Sequence, residues 1–250
     1  GTWSRISGPN TPVITSVNSP ATTLTGAMAS ATPYVYRWTI TNGACSTSDD
    51  VQIRNNSLPT VSITGSNPIC VGSTTTLSPT TGGTWASSNN AVATVSNAGV
   101  VTGVSGGTAT FIFTNTTTGC SSVATPAVTV NSIPASPTAS VTTQPSCAVN
   151  SGIITITAPT RPGITYSIDR TTYTNTTGVF NLVPAGLYSI TAKSAAGCIS
   201  SGASITVNPK PNCPPIANDD NGPAITEDGP NGTNGAPGSV WRDGTVAPSN

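Results

Sequence analysis

The chain has 250 residues with 8 Lys+Arg against 8 Asp+Glu, no His, and only 6% charged residues. Average soluble domains carry about 25% charged residues, so this surface is built from Thr, Ser, Asn and Gly. Zero net charge gives no electrostatic footprint for nucleic acid or an anionic membrane, and no apolar run approaches the ~20 residues that span a bilayer as a helix.

Taken in chain order, the apolar residues recur in short alternating runs, which separates the sequence from a disordered chain of equally low charge. Tyr34, Tyr36, Trp38 and Ile40 alternate with Val35, Arg37 and Thr39, predicting a strand with an aromatic inner face. Phe111 and Phe113 take the matching place before Cys120, as do Tyr188 and Ile190 before Cys198. Gly, Pro and Asn punctuate the chain every 8 to 12 residues or so, the rhythm of a sandwich. No sustained 3.6-residue pattern occurs. The expected fold class is all-β, as tandem Ig-like β-sandwich modules in a linear array.

Three segments close alike. Cys45 is followed by Val51-Gln52-Ile53, Asn55 and Pro59; Cys120 by Val128-Thr129-Val130, Asn131 and Pro134; Cys198 by Ile205-Thr206-Val207, Asn208 and Pro209. These closing cysteines recur 75 and 78 residues apart. A fixed period with proline at the joints signals an array of similar modules. The boundaries this predicts are 1–58, 59–132, 133–209 and a terminal segment 210–250.

Cys70 precedes Cys120 by 50 residues and Cys147 precedes Cys198 by 51. Near-equal loops predict Cys70–Cys120 and Cys147–Cys198 disulfides inside their own modules, and disulfides imply an oxidising setting. Cys45 and Cys213 are then expected to pair outside this segment, with the first module truncated at its start. A Cys45–Cys213 bridge is the alternative, and it requires the chain to fold back across two modules. With no CxxC pair and no His, a metal reading of the cysteines is weak.

With the repeat in place, family resemblances can be read. Residues 83–110, GTWASSNNAVATVSNAGVVTGVSGGTAT, closely resemble the bacterial Ig-like group 2 domain. Residues 147–198, with TYSIDRTTYTNTTGVFNLVPAGLYSITAKSAAGC, resemble the SprB-type repeat of gliding-motility adhesins in Bacteroidetes. Lys-Ser-Ala replaces the usual acidic residue before the final Gly-Cys. Residues 1–58 look like PKD-like or Ig-like modules, and PPIANDDNGPAITEDG (214–229) is similar to the start of cadherin-like or VCBS-type repeats. The resemblances imply a large adhesin exported to the bacterial cell surface by the type 9 system. They carry over no catalytic residue and no required cofactor.

Asp219, Asp220, Glu227 and Asp228 could hold Ca²⁺ at a module joint, because a hard cation takes several carboxylate and carbonyl oxygens. A solvated acidic loop is the favoured reading of them, since the regular D-x-[DN]-x-[DN]-G spacing is absent. Asp49 and Asp50 form a weaker candidate of the same kind. Trp3, Trp85 and Trp241 are candidates for glycan contact, although a Trp in a sandwich is more often core. Without His, a nucleophilic Ser would need Lys193 or Lys210 as base, so no enzyme is expected. The expected function is an extracellular stalk or adhesin segment, whose host, surface or glycan ligands are unknown. Its expected partners are neighbouring modules or other copies, with no nucleic acid and no membrane insertion. The rival functions are a filament subunit joined by β-augmentation and a carbohydrate-binding array of a secreted enzyme.

Overall fold

The computed structural model describes residues 1–213, among which every regular element is a strand. The all-β Ig-like expectation holds. Its physical basis is the period-two burial that the sequence encodes.

The first repeat contains β1 (Thr2–Ser7), β2 (Val13–Ile14), β3 (Leu24–Thr25), β4 (Tyr34–Asn42) and β5 (Cys45–Ile53). β4 sits between β1 and β5 in an antiparallel sheet, and β2 and β3 form a short hairpin. The β4–β5 ladder runs from Tyr34↔Ile53 to Asn42↔Cys45. Gly43, at φ +60°, supplies the left-handed residue that its two-residue turn requires. Tyr34 and Tyr36 are buried, as their alternation predicts. Ile40 on the same face is 49% exposed, so the aromatic inner face extends only part-way along β4.

The second repeat contains β6 (Ser62–Ile63), β7 (Ile69–Cys70), β8 (Thr74–Ser78), β9 (Gly83–Ser87), β10 (Ala93–Val95), β11 (Val100–Gly103), β12 (Gly107–Ala109), β13 (Phe111–Asn115) and β14 (Val128–Asn131). The sheets are ordered β10-β11-β8-β6, β12-β14-β7 and β13-β9. Alternate residues of these strands meet in one cluster that includes Leu77, Trp85, Val101, Phe111, Phe113, Val128 and Val130. Trp85 lies opposite Phe113 across β9 and β13, with ring centroids 5.2 Å apart in a tilted pair. Its indole N–H donates to the Pro79 carbonyl at 3.0 Å, satisfying the one polar atom that burial would otherwise strand. Gly99 has φ +76°, and a Cβ there would come within 2.7 Å of the Leu77 carbonyl oxygen. The Asn-Ala-Gly-Val turn therefore admits no side chain at this position.

The third repeat contains β15 (Thr138–Thr143), β16 (Gly152–Ala158), β17 (Thr165–Ser167), β18 (Val179–Val183), β19 (Gly186–Lys193) and β20 (Ala203–Val207). Its sheets are ordered β15-β16-β18 and β17-β19-β20. The chain divides into two compact units. One comprises Gly1–Ala139, Ile156–Gly178 and Ser189–Ala203; the other comprises Ser140–Thr155, Val179–Tyr188 and the described residues from Ser204.

Phe111 has no exposed surface. Phe111→Ala is expected to cost about 3–5 kcal/mol through lost burial and an unfilled cavity. Urea denaturation followed by Trp85 fluorescence checks this.

Candidate functional site: a disulfide-braced joint

The strongest constellation lies where the second repeat hands over to the third. β7 is only two residues long, and it runs parallel to β14, with Ile69 beside Val130 and Cys70 beside Asn131. Two side-chain bonds lengthen this small ladder. Asn67 donates to the Ala127 carbonyl and accepts from the Thr129 amide, both at 3.0 Å, imitating a further strand residue. The Val71 amide donates to the Asn131 carbonyl at 3.0 Å. Gly72, at φ +80°, then turns the chain away. Cys70 is thereby fixed at the exit of β14, where the polypeptide leaves for the third repeat.

Cys198 comes to the same place in a tight turn after β19. The Ser194 amide donates to the Cys198 carbonyl and the Gly197 amide to the Ser194 carbonyl, each at 2.9 Å. Gly197, at φ +85°, closes the turn. Ser200 anchors it back to β19: its amide donates to the Ala192 carbonyl at 2.8 Å, and its hydroxyl accepts from the Ala192 amide at 2.9 Å. The Cys198 sulfur lies 3.8 Å from the Asn131 carbonyl. Ser136, just beyond β14, donates to the Ser201 carbonyl at 3.3 Å. Cys70 and Cys198 are bonded across this contact, their Cα atoms 5.7 Å apart and 128 residues apart in sequence.

This pairing corrects the expected Cys70–Cys120 and Cys147–Cys198 bridges. Cys70 sits beside Asn131, next to the Gly107 end of β12, because Val130 pairs with both Ile69 and Gly107. Cys120 sits at the far end of the following strand, its carbonyl accepting from the Asn115 amide. The run of chain from Gly107 to Asn115 can span up to about 26 Å when extended, whereas a disulfide needs Cα atoms within about 7 Å. The expectation that Cys213 pairs outward is corrected too. Cys147 bonds Cys213 with Cα atoms 5.6 Å apart. The Asn208 amide, donating to the Gln144 side chain at 2.9 Å, draws those two segments together. Cys45 and Cys120 are free, which excludes a Cys45–Cys213 bridge.

Cys120 occupies a close copy of the Cys198 turn. Gly119 has φ +70°, its amide donates to Asn115, and Ser122 bonds Phe113 through both amide and hydroxyl, as Ser200 bonds Ala192. Both turns carry Gly-Cys-x-Ser, at residues 119–122 and 197–200.

The other expected sites fare differently. Asp219, Asp220, Glu227, Asp228 and Trp241 lie outside the described residues. Among the described residues, no cluster of three or more His, Cys, Asp or Glu could hold a metal. Asp50 instead forms a forked ion pair with Arg37, at 2.7 and 2.9 Å. That guanidinium holds the Asp50 carboxyl below its ordinary value. Trp85 is core, while Trp3 and Trp38 are half-buried.

Sequence reasoning missed Asp169. Its carboxylate accepts from the Ser167 hydroxyl at 2.5 Å and from the Thr172 and Thr171 amides at 2.8 Å. These donors hold its carboxyl well below the usual range, the Ser167 hydroxyl contributing most. The turn they lock places Arg170 at φ +64°, and its guanidinium donates to Ser189.

Residues 59–125 match the bacterial Ig-like domain (group 2) family. No curated protein matches the chain by sequence. Among solved structures, surface layer protein SbsC domains 1–6 is 15% identical with a TM-score of 0.28, covering 85% of this chain and 40% of that one. A Bacteroides ovatus SGBP-B structure, in complex with a mixed-linkage heptasaccharide, is 15% identical with a TM-score of 0.23, covering 83% of this chain and 59% of that one. The Yersinia pseudotuberculosis adhesin InvE is 16% identical with a TM-score of 0.21, covering 60% and 58%. This chain therefore spans less than half of the SbsC structure. It is an all-β protein whose second repeat matches a bacterial Ig-like family over residues 59–125.

Non-reducing peptide mapping is expected to recover Cys70 linked to Cys198 and Cys147 linked to Cys213; a Cys70–Cys120 peptide would contradict the joint. For Asp169 the depressed folded pKa sets the sign. Its stabilisation is complete above the unfolded Asp value of about 3.9 and is lost as pH falls through the lower folded value. Amide exchange at Thr171 and Thr172 should stay slow at pH 4 and accelerate only in stronger acid. In Asp169→Ala it should already be fast at neutral pH.

Proposed function

We propose that this chain is a non-enzymatic structural segment of an extracellular bacterial surface protein, a stalk that projects an adhesive or gliding apparatus from the cell. The observation that carries the reading is the Cys70–Cys198 bond, which joins consecutive repeats instead of closing one. A bridge inside a module resists only that module's unfolding. A bridge across the joint also fixes the hinge, and it takes residues 71–197 out of the stretch of chain that tension can extend.

Three further features support the reading. Two disulfides suit an oxidising compartment. In the chain-entropy picture a 128-residue loop removes about 5 kcal/mol of unfolded-state freedom. The match of residues 59–125 to a bacterial Ig-like family suits a repeated surface module. A Thr-, Ser- and Asn-rich exterior with 6% charge suits a spacer that works by reach and stiffness, and it offers little for chemistry. Export by the type 9 route, and a Bacteroidetes gliding adhesin as the whole protein, are the finer form of this proposal. They rest on the SprB-type resemblance of residues 147–198.

Single-molecule stretching tests the reading. With disulfides intact, the second and third repeats should unfold with a restricted contour length. Full reduction should release an additional ~420–460 Å, the extended length of the 128-residue loop, whereas Cys198→Ser, which leaves the Cys147–Cys213 bridge in place, should release about half of that, ~205–225 Å. An unchanged contour length on reduction would count against a tension-resisting joint.

A further inference from the structure

The two disulfides interleave. Cys147 lies within the stretch that Cys70–Cys198 spans, and Cys213 lies beyond it. The shortest covalent route through the second and third repeats therefore crosses from Cys70 to Cys198 and follows the backbone to Cys213. Cys147–Cys213 is not on that route. Opening it lengthens nothing under tension; it frees the segment after β20 from the connection between β15 and β16, which carries Cys147.

The two bonds are also unequally protected. Cys198 is 1% exposed and Cys70 is half-buried, in a corner held by the Ser194, Gly197 and Ser200 amides. Cys147 and Cys213 are both exposed. In thiol–disulfide exchange a thiolate attacks one sulfur, and the other sulfur leaves with the bonding electron pair. Burial closes the Cys198 sulfur to attack. Attack on Cys70 would expel a Cys198 thiolate into the buried corner, where desolvation opposes the charge. At Cys147–Cys213 either sulfur can be reached, and the other leaves into water. Beside this bond the Asn208 amide donates to the Gln144 side chain at 2.9 Å. The Cys147 loop folds on itself there, with the Ser146 amide donating to the Val149 carbonyl at 2.8 Å and the Val149 amide to the Ser146 hydroxyl at 3.3 Å.

We propose that Cys147–Cys213 is an exchange site for low-molecular-weight thiols, and that Cys70–Cys198 is a permanent bridge. An incoming thiolate bonds one exposed sulfur of Cys147–Cys213, and the other cysteine becomes a free thiolate. A second thiol attacks the small-molecule sulfur of the mixed disulfide and releases the remaining cysteine as a thiolate. Two thiols are thereby oxidised to their disulfide, and the protein disulfide is reduced to two cysteines. The joint between the second and third repeats stays locked, while the segment leading out of β20 is released from the Cys147 loop. The inference rests on the interleaving and exposure of the two bonds and does not depend on the stalk reading.

The test uses the full chain with Cys45→Ser and Cys120→Ser, so that neither free thiol competes. The chain is incubated with reduced glutathione at neutral pH and alkylated at intervals, and each bond is followed by peptide mapping. Cys147–Cys213 is expected to open about tenfold or more faster than Cys70–Cys198, with glutathione adducts on Cys147 or Cys213 alone. Amide exchange at Ser146, Val149 and Asn208 should quicken as that bond opens, while Val71 and Ser200 stay protected. The unsubstituted chain should give the same order of opening. Equal rates, earlier opening of Cys70–Cys198, or a glutathione adduct on Cys70 or Cys198 would overturn the proposal. So would exchange at Asn208 that is unchanged once Cys147–Cys213 is open.

Discussion

Ile69 and Cys70 lie parallel to Val130 and Asn131, and much of the architecture follows from that two-residue ladder. It brings the opening strand of the second repeat beside its closing strand, so both edges of β14 are occupied and Val128 and Val130 are sealed into the core. It also carries a cysteine to the point where the chain leaves for the next repeat. A strand this short is held by its surroundings: Asn67 on one side, Gly72 turning away on the other, and the disulfide beyond. Each of these is individually weak. Their combination converts a sequence joint into a covalent one.

The two aromatic cross-strand pairs differ in burial. Where an opening strand is present, as in the second repeat, the Trp85–Phe113 pair and the closing valines are dry. Where β5 has a single neighbour, the homologous Trp3–Trp38 pair and Val51–Ile53 keep part of their surface. Burial here follows the layer that covers a face more than the place of a strand in its sheet, since Ala93, Val183 and Val207 are enclosed on edge strands.

Much of the fold was legible because period-two alternation is a local signal. Tyr34 and Tyr36, Phe111 and Phe113, and Ile190 are all enclosed, as their spacing predicts. Ile40 obeys the alternation and is still half-exposed, because a pattern specifies a face and cannot specify how far the opposing layer reaches. Asp169 escaped notice because its role lies in hydrogen bonds to Ser167, Thr171 and Thr172, and a single acid in a Ser/Thr-rich turn has no distinctive spacing.

The sequence by itself determined the all-β class, the recurrence of closing cysteines 75 and 78 residues apart and the core aromatics, since each is read along the chain. Only the tertiary structure decided which cysteines meet. Two near-equal spacings suggested bridges within modules, because sequence distance records loop length and carries no information about which strand ends face each other. Cys120 lies at the Asn115 end of β13, a run of chain away from the Gly107 end of β12 beside which Cys70 sits. The joint instead brings Cys198, 128 residues away, to a Cα distance of 5.7 Å from Cys70.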